Sequence, residues 1–445
     1  MHINIQSTLS RINSLILSPI NTIILIIAFF ILIFKLRKSN LLNPIAATKA
    51  ISRSHQNGVS SIQALSVALA GTLGVGNISG VAIALSLGGA GAIFWMWASA
   101  LCAMIIKYSE VVLALHYREY EDHEAHGGAM YYIKKGITNT KLSSLLSGSF
   151  AILCIISSFS TGSILQMNAA TEAAFESYSI NPLLFGIIIA ILCIVPLATR
   201  SKVYNITTNI VPLMSIMFVM LSTTIIIINH KQLPYIFKLI ITDAFKQNSA
   251  FGGAIGFIFS KSLRFGTIKG LYSNEAGCGT STIAHAQADT KEPHIQGIYG
   301  IIEVFFDTII LCTLTALVLL ISYGNNVPVI GGGVSVTLRA FNNSLGNIAK
   351  YIITLSIILF AYATIICWAY YGLECIRFFK FNRTFEQIYL IVYFFSIIYG
   401  AIAPSDLIWE IADTTIYLMM STNTICVCYM SNTVRELSII KEVEL

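Results

Sequence analysis

Charge is what this sequence lacks. Asp, Glu, Lys and Arg together make up 11 % of its 445 residues, where a soluble domain carries about 25 %. So little charge cannot cover a water-facing surface. With 56 % hydrophobic residues and a mean hydropathy of +0.76, the chain reads as an all-α polytopic membrane protein. Room for a soluble domain is also missing, because the longest loops, near 118–145 and 323–346, fall short of the ~50 residues a domain needs. The nine cysteines are scattered without a Cys-x-x-Cys pair, which argues against a disulfide framework or a thiolate metal site. No basic cluster interleaved with aromatics is present, so a nucleic-acid partner is not expected. Neither His-Glu-x-x-His nor Gly-x-Ser-x-Gly occurs, and no intramembrane Asp or His pair is spaced for metal or acid–base work. An enzyme, with catalytic residues and a cofactor, is therefore not expected.

What is there is a series of apolar runs. Eleven lie near 20–34, 62–87, 90–115, 146–174, 182–198, 206–228, 251–288, 297–322, 348–376, 387–401 and 407–429, each a candidate for a membrane helix. The first lacks a small-residue cleavage pattern and runs straight into Lys35, Arg37 and Lys38, so it reads as a mature helix rather than a signal peptide. Of the 27 Lys and Arg, 17 fall in one alternate set of loops and 5 in the other. That bias accounts for the net charge of +6 and predicts the N-terminus outside and the C-terminus in the cytoplasm. The stretch Val334 to Phe341, after a run of three glycines, predicts a small helix capping the outer side.

Two runs are interrupted. ALAGTLGVGNISGVA (68–82) places Gly71, Gly74, Gly76 and Gly80 with Thr72, Asn77 and Ser79 at bilayer depth. GLYSNEAGCGTSTIAHAQA (270–288), preceded by the apolar FGGAIGFIF (251–259), repeats the peculiarity five runs later. Small residues at i and i+4 also occur where ordinary membrane helices pack closely. Two such segments in corresponding positions, starting on opposite sides, point instead to broken helices of an inverted-repeat transporter. Their freed amides and carbonyls would hold a solute and an ion. The Gly74/Gly76 string has no βαβ context and is not a dinucleotide loop.

Five ordered blocks carry a resemblance over nearly the whole chain. They are GTLGVGNISGVAIALSLGGAGAIFWMWASALCAMIIKYSEVVLALHYRE (71–119), GGAMYYI (127–133), GLYSNEAGCGTSTIAHA, EVFFDTIILCTLTALVLL (303–320) and FAYATIICWAYYGLE (360–374). Together they resemble the alanine/glycine:cation symporter family, also called the sodium:alanine symporters. The resemblance implies a sodium- or proton-coupled importer of small neutral amino acids (alanine, glycine) in a bacterial inner membrane. It also implies a leucine-transporter-type five-plus-five inverted repeat. Within one transmembrane domain, 1–445, an extra helix would occupy 19–36 and the repeats 62–229 and 250–430. The expected partners are a small-molecule substrate, sodium and the lipid bilayer. The alternatives are a proton-coupled transporter or a passive channel on the same fold.

An amino-acid carboxylate suits half-helix amides, here those of Gly74, Val75 and Gly76, with Thr72 or Asn77 adding side-chain hydrogen bonds. Carbonyls of Ala70 and Leu73 suit a hard cation, and by resemblance the Thr364 hydroxyl completes a sodium site. By resemblance too, Gln166, Ser273, Ala276, Gly277 and Trp368 lie near the substrate. Read alone, Trp368 could be a lipid-interface anchor, and Gln166 and Asn168 could be interhelical hydrogen-bonding residues. The sequence departs from the family at Val75, where Thr is usual, at Ala363, where Ser is usual, and at Ala129 and Thr282, where Pro is usual.

Lys107, Glu110, Glu275, Glu303, Asp307 and Glu374 are ionisable residues inside runs, hence functional suspects. Lys107 and Glu110, three apart, read as an ion pair on one helix face. Glu275 could bind a substrate ammonium, titrate, or cap a half-helix. His123 and His126, in EYEDHEAH, read as a solvated loop rather than a metal site.

Overall fold

The computed structural model describes residues 5–37, 59–121, 124–197, 200–246, 261–328 and 333–439. Among these, six helices are long and apolar enough to cross a membrane, and a bent pair forms a seventh such span. In chain order, α1 (Ile5–Leu36) carries a π turn at Asn13–Leu17. α2 (Ser61–Thr72) and α3 (Ser79–Gly88) flank a 3₁₀ turn at Val75–Asn77. α4 (Gly91–His116) leads into the hairpin β1 (Glu119–Glu121) and β2 (Glu124–His126), paired with Tyr120 opposite Ala125. The short α5 (Ala129–Gly136) precedes α6 (Thr140–Tyr178), α7 (Pro182–Leu197) and α8 (Arg200–Ile228). After α9 (Leu233–Ala244) come α10 (Lys261–Asn274) and α11 (Thr282–His285). α12 (Pro293–Tyr323), α13 (Val334–Leu345), α14 (Asn347–Phe378), α15 (Arg383–Gly400), α16 (Ser405–Tyr429) and α17 (Ser431–Leu437) complete the chain. The apolar stretch 251–259 expected to open the seventh run lies outside the described residues, as does His123.

The outer helices show the amphipathicity of a lipid-facing span. On α1, Leu25, Ala28 and Leu32 are buried while Ile23, Phe30 and Phe34 face outward. Closer to the centre, small residues let helices approach. Gly266 and Gly270 of α10 sit against Ala92 and Met96 of α4, and Gly297 and Gly300 of α12 sit against Tyr108 and Lys107 of the same helix. α4 is thus clasped on two sides, which explains why its 26 residues are mostly buried.

α2 starts at a capping box in which Ser60 and Gln63 satisfy each other's backbone N–H groups. It ends at Leu73, whose ψ of 73° leaves the helical region, and the chain turns by 62°. α13 is the helix expected from Val334 onward. It is tied to the end of α6 by Glu172, which accepts from the Ser335 hydroxyl at 2.6 Å, and by Arg339 to Glu176 at 3.3 Å.

A candidate solute and cation site at two helix breaks

The break after α2 frees two carbonyls. In an unbroken helix the Gly74 and Asn77 amides would donate to Ala70 and Leu73. Here Gly74 N–H donates to Thr72 O and Asn77 N–H to Gly74 O. Thr364, in the middle of α14, brings its hydroxyl to these two carbonyls, with Oγ1 at 2.9 Å from Ala70 O and 3.4 Å from Leu73 O. A third carbonyl, Phe360 O of its own helix, lies at 2.9 Å. A hydroxyl has one hydrogen and cannot satisfy three carbonyls. Such a crowd of oxygens is a preference for a small hard cation. Ala363 beside it is fully buried and adds no hydroxyl, so the oxygens not paired within a helix are the two carbonyls of the break and the Thr364 hydroxyl.

Gly74 is required at this junction. A Cβ there would lie 2.9 Å from Gln166 Oε1 and 3.1 Å from Thr364 Oγ1, so any side chain would displace both. Gln166, on α6, accepts the Val75 N–H at 3.0 Å and donates to Thr161 O at 3.2 Å. The Val75 amide expected to meet a carboxylate is therefore already engaged by Gln166. Thr72 turns back on its own helix, donating to Ala68 O at 3.3 Å, so its hydroxyl does not project into the break. Val75 is buried and contributes backbone only.

The second break runs from Asn274 to Thr282 and contains three residues of positive φ: Glu275 at 50°, Gly277 at 85° and Gly279 at 77°. Gly277 has the left-handed φ that glycine tolerates, and a Cβ on it would meet Thr424 Oγ1 at 2.7 Å. The two breaks are joined through Asp307, on the π turn of α12. Asn77 Nδ2 donates to Asp307 Oδ1 at 2.7 Å and to Ser273 Oγ at 2.9 Å, and Ser273 and Thr308 donate to Asp307 Oδ2 at 2.8 and 2.7 Å. Ala276 N–H is held by Asn274 Oδ1 at 3.0 Å. Asn77 Oδ1 is buried without a hydrogen-bond partner, leaving one acceptor between the breaks.

Trp368 is fully buried one turn along α14 from Thr364, so it is no lipid-interface anchor. It lies on the π turn of α6 at Gly162, where a Cβ would fall 2.2 Å from Trp368 Cβ. Its Nε1 has no partner. Asn168, by contrast, donates to Gly400 and Ala403 carbonyls at 3.3 and 2.8 Å, an interhelical tie away from the breaks.

One expectation fails. Lys107 does not pair with Glu110: it reaches Ser281 Oγ at 2.8 Å and Glu303 Oε1 at 3.3 Å across the helix interface, while Glu110 takes the Asn423 amide. Gly277 O accepts Asn423 Nδ2 at 2.8 Å. Glu374 is paired with His126 at 3.2 Å and Arg377 at 2.8 Å, at the end of α14. Sequence reading missed Asn423 and Arg118. A lone Asn within an apolar run was the available signal for the first. Arg118 donates to the carbonyls of Ala286, Ala288 and Thr290 at 2.7–2.9 Å, clamping the end of the second broken segment. Beside it, Asp289 N–H donates to Val59 O at 2.7 Å.

The site, assembled from carbonyls, amides and short polar side chains, can bind and orient a small solute. Comparison with known proteins agrees. Residues 2–440 match the sodium:alanine symporter family. An uncharacterized transporter of Haemophilus influenzae is 39 % identical over 371 residues, covering 82 % of this chain and 80 % of its own. A sodium/alanine symporter of Methanococcus maripaludis is 34 % identical over 394 residues, covering 88 % and 86 %. The fold is similar to that of a sodium-coupled sialic acid symporter, with a TM-score of 0.52 at 13 % identity over 94 % of this chain and 85 % of the other.

Proposed function

The chain belongs to the sodium:alanine symporter family, a sodium-coupled amino-acid symporter and not an enzyme, and from there we propose that it imports alanine or glycine by alternating access. In this reading Thr364 Oγ1 and the carbonyls of Ala70 and Leu73 hold the coupling sodium. The observation that carries it is the convergence of those three oxygens at a break where both carbonyls have lost their helical donors. The substrate sits beside the ion, its carboxylate at the Gly74–Gly76 backbone and the Asn77 amide, where it takes over donors now held by Thr72 O, Gln166, Ser273 and Asp307, its side chain toward Trp368. Gln166, Ser273, Ala276 and Gly277 frame that space. Such a pocket, walled by a buried indole, suits a methyl or hydrogen side chain.

Sodium in the oxygen cluster favours the conformation in which α2 and α14 are held together, because the ion binds only where both are present. Residues 62–229 and 250–430 act as two repeats that rock about the site, with 19–36 outside them. The chain is multi-pass; an N-terminus outside and C-terminus inside follow from the loop charges, and a bacterial inner membrane from the family resemblance. Labelled alanine in proteoliposomes tests the reading: accumulation in an inward sodium gradient, abolished when choline replaces sodium, is expected. Equal uptake under both gradients overturns sodium coupling, and no uptake of alanine or glycine under any cation gradient overturns the substrate class.

A further inference from the structure

Beneath the second break lies a buried cluster of charge that the proposed substrate and sodium sites do not use. Lys107, Glu110, Glu275 and Glu303 are each less than 5 % exposed. Lys107 is within electrostatic reach of all three carboxyl groups, yet it pairs with one, Glu303. Glu303 is further satisfied by Ser281 and by His285 Nε2 at 3.0 Å. The Gln296 side-chain amide lies 2.8 Å from His285 Nδ1 on the other side of the ring. Lys107 thus pairs with one of three buried carboxyl groups, in a dry interior that penalises an ion left without a partner.

Glu275 receives the Thr280 hydroxyl at 2.5 Å. Glu110 is different. Its Oε1 takes the Asn423 amide, but its Oε2, on a side chain with no exposure, has no hydrogen-bond partner. Gly277 N–H faces the same carboxyl without bonding Oε2. No ion pair joins Glu110 to a cation among the described residues.

We infer that Glu110 is a protonation site, taking up one proton on Oε2 and passing from carboxylate to carboxylic acid. A metal cation does not suit the place. It needs several oxygen ligands, and the neighbouring Glu110 Oε1 and Gly277 O are both already covered by the same Asn423 amide nitrogen. One free oxygen is enough for a proton. A neutral carboxyl with one unpaired oxygen costs less than an unpaired buried ion. The titratable groups in reach of it are Lys107 on α4, Glu303 on α12, Tyr132 on α5 and Cys278 in the break, with Glu275, His285 and Asp307 set around Glu303. Lys107, the lysine among these, is held by Glu303 and makes no ion pair with Glu110.

The proton is linked to the moving part of the fold. Asn423 bridges Glu110 and the Gly277 carbonyl, and Tyr132 donates to Asn423 Oδ1. Charging Glu110 therefore acts on α16 and on the break together, and opening the break to water is what lets the proton leave. This inference goes beyond the transport reading, and its test does not depend on uptake.

Infrared spectroscopy of the full-length protein in lipid at neutral pH reads the carboxyl directly. The expected result is a protonated-carboxyl C=O band in the wild type that is lost in Glu110→Gln, moves in Glu110→Asp and persists in Glu275→Gln. A wild type without the band overturns the inference, as does a band unchanged in Glu110→Asp. A band lost in Glu275→Gln and retained in Glu110→Asp also overturns it. Should Glu110→Gln not fold, the wild-type and Glu110→Asp spectra decide the question.

Discussion

Gln166 accepts the Val75 N–H at 3.0 Å across the interface of α6 and the first break. That bond does for the Val75 amide what the Gly71 carbonyl, one turn back, would have done in an unbroken helix. Replacing Gln166 by Leu keeps the volume but leaves the amide buried and unpaired, at a cost of about 1–3 kcal/mol. Thermal denaturation of the purified protein is expected to show Gln166→Leu melting lower, with Gln166→Glu, which keeps the acceptor, losing less.

Asp307 joins Asn77 and Ser273, and so joins the two breaks. In Asp307→Asn one oxygen becomes an amide that cannot accept from Ser273 or Asn77. Losing a charge-assisted hydrogen bond costs roughly 1.5–3 kcal/mol. Alanine uptake at subsaturating substrate should fall about 10- to 100-fold in proteoliposomes, while the amount of inserted protein stays near wild type. Unchanged uptake contradicts the bridging role.

Gly162 leaves no room for a methyl group, its Cβ position lying 2.2 Å from Trp368 Cβ. Gly162→Ala must push the indole or unwind the π turn, an overpacking cost of about 1–3 kcal/mol. The expected outcome is a lower melting temperature and a raised alanine KM, with Gly162→Val worse in both. A neutral Gly162→Ala means that Trp368 is not held where the structure puts it.

Arg118 spans the carbonyls of Ala286, Ala288 and Thr290. Lysine is a point charge and cannot reproduce that fork. Both Arg118→Ala and Arg118→Lys should loosen the end of the second broken segment, so that a cysteine at position 288 reacts faster with a water-soluble maleimide than in the Arg118 background. Equal labelling rates contradict the clamp.

How much of this could be read from residues alone depended on whether a signal was local. The two breaks were legible because Gly74, Asn77, Gly277 and Ser273 stand at bilayer depth, where irregular backbone requires a reason. Thr364 entered only through family resemblance, since nothing in α14 marks it as the partner of carbonyls almost 300 residues earlier. The Lys107–Glu110 spacing suggested an ion pair because i, i+3 reasoning sees a single helix. Glu303 arrives from α12, 196 residues on, and wins by reaching Lys107 across the packed face that Gly300 opens. Asn423 was passed over for the same reason: its partners, Glu110 and Gly277 O, come from α4 and from the second break.

The central claim, that Thr364 Oγ1 and the Ala70 and Leu73 carbonyls hold the coupling ion, is tested most directly by sodium titration of alanine uptake in Thr364→Ala beside Thr364→Ser. The account predicts that the alanine variant needs at least ~10-fold more sodium for half-maximal uptake, or loses sodium dependence altogether, as removal of one oxygen ligand costing about 1.4 kcal/mol or more would require. The serine variant, which keeps the hydroxyl, stays near wild type. A Thr364→Ala protein with the wild-type sodium dependence contradicts the account.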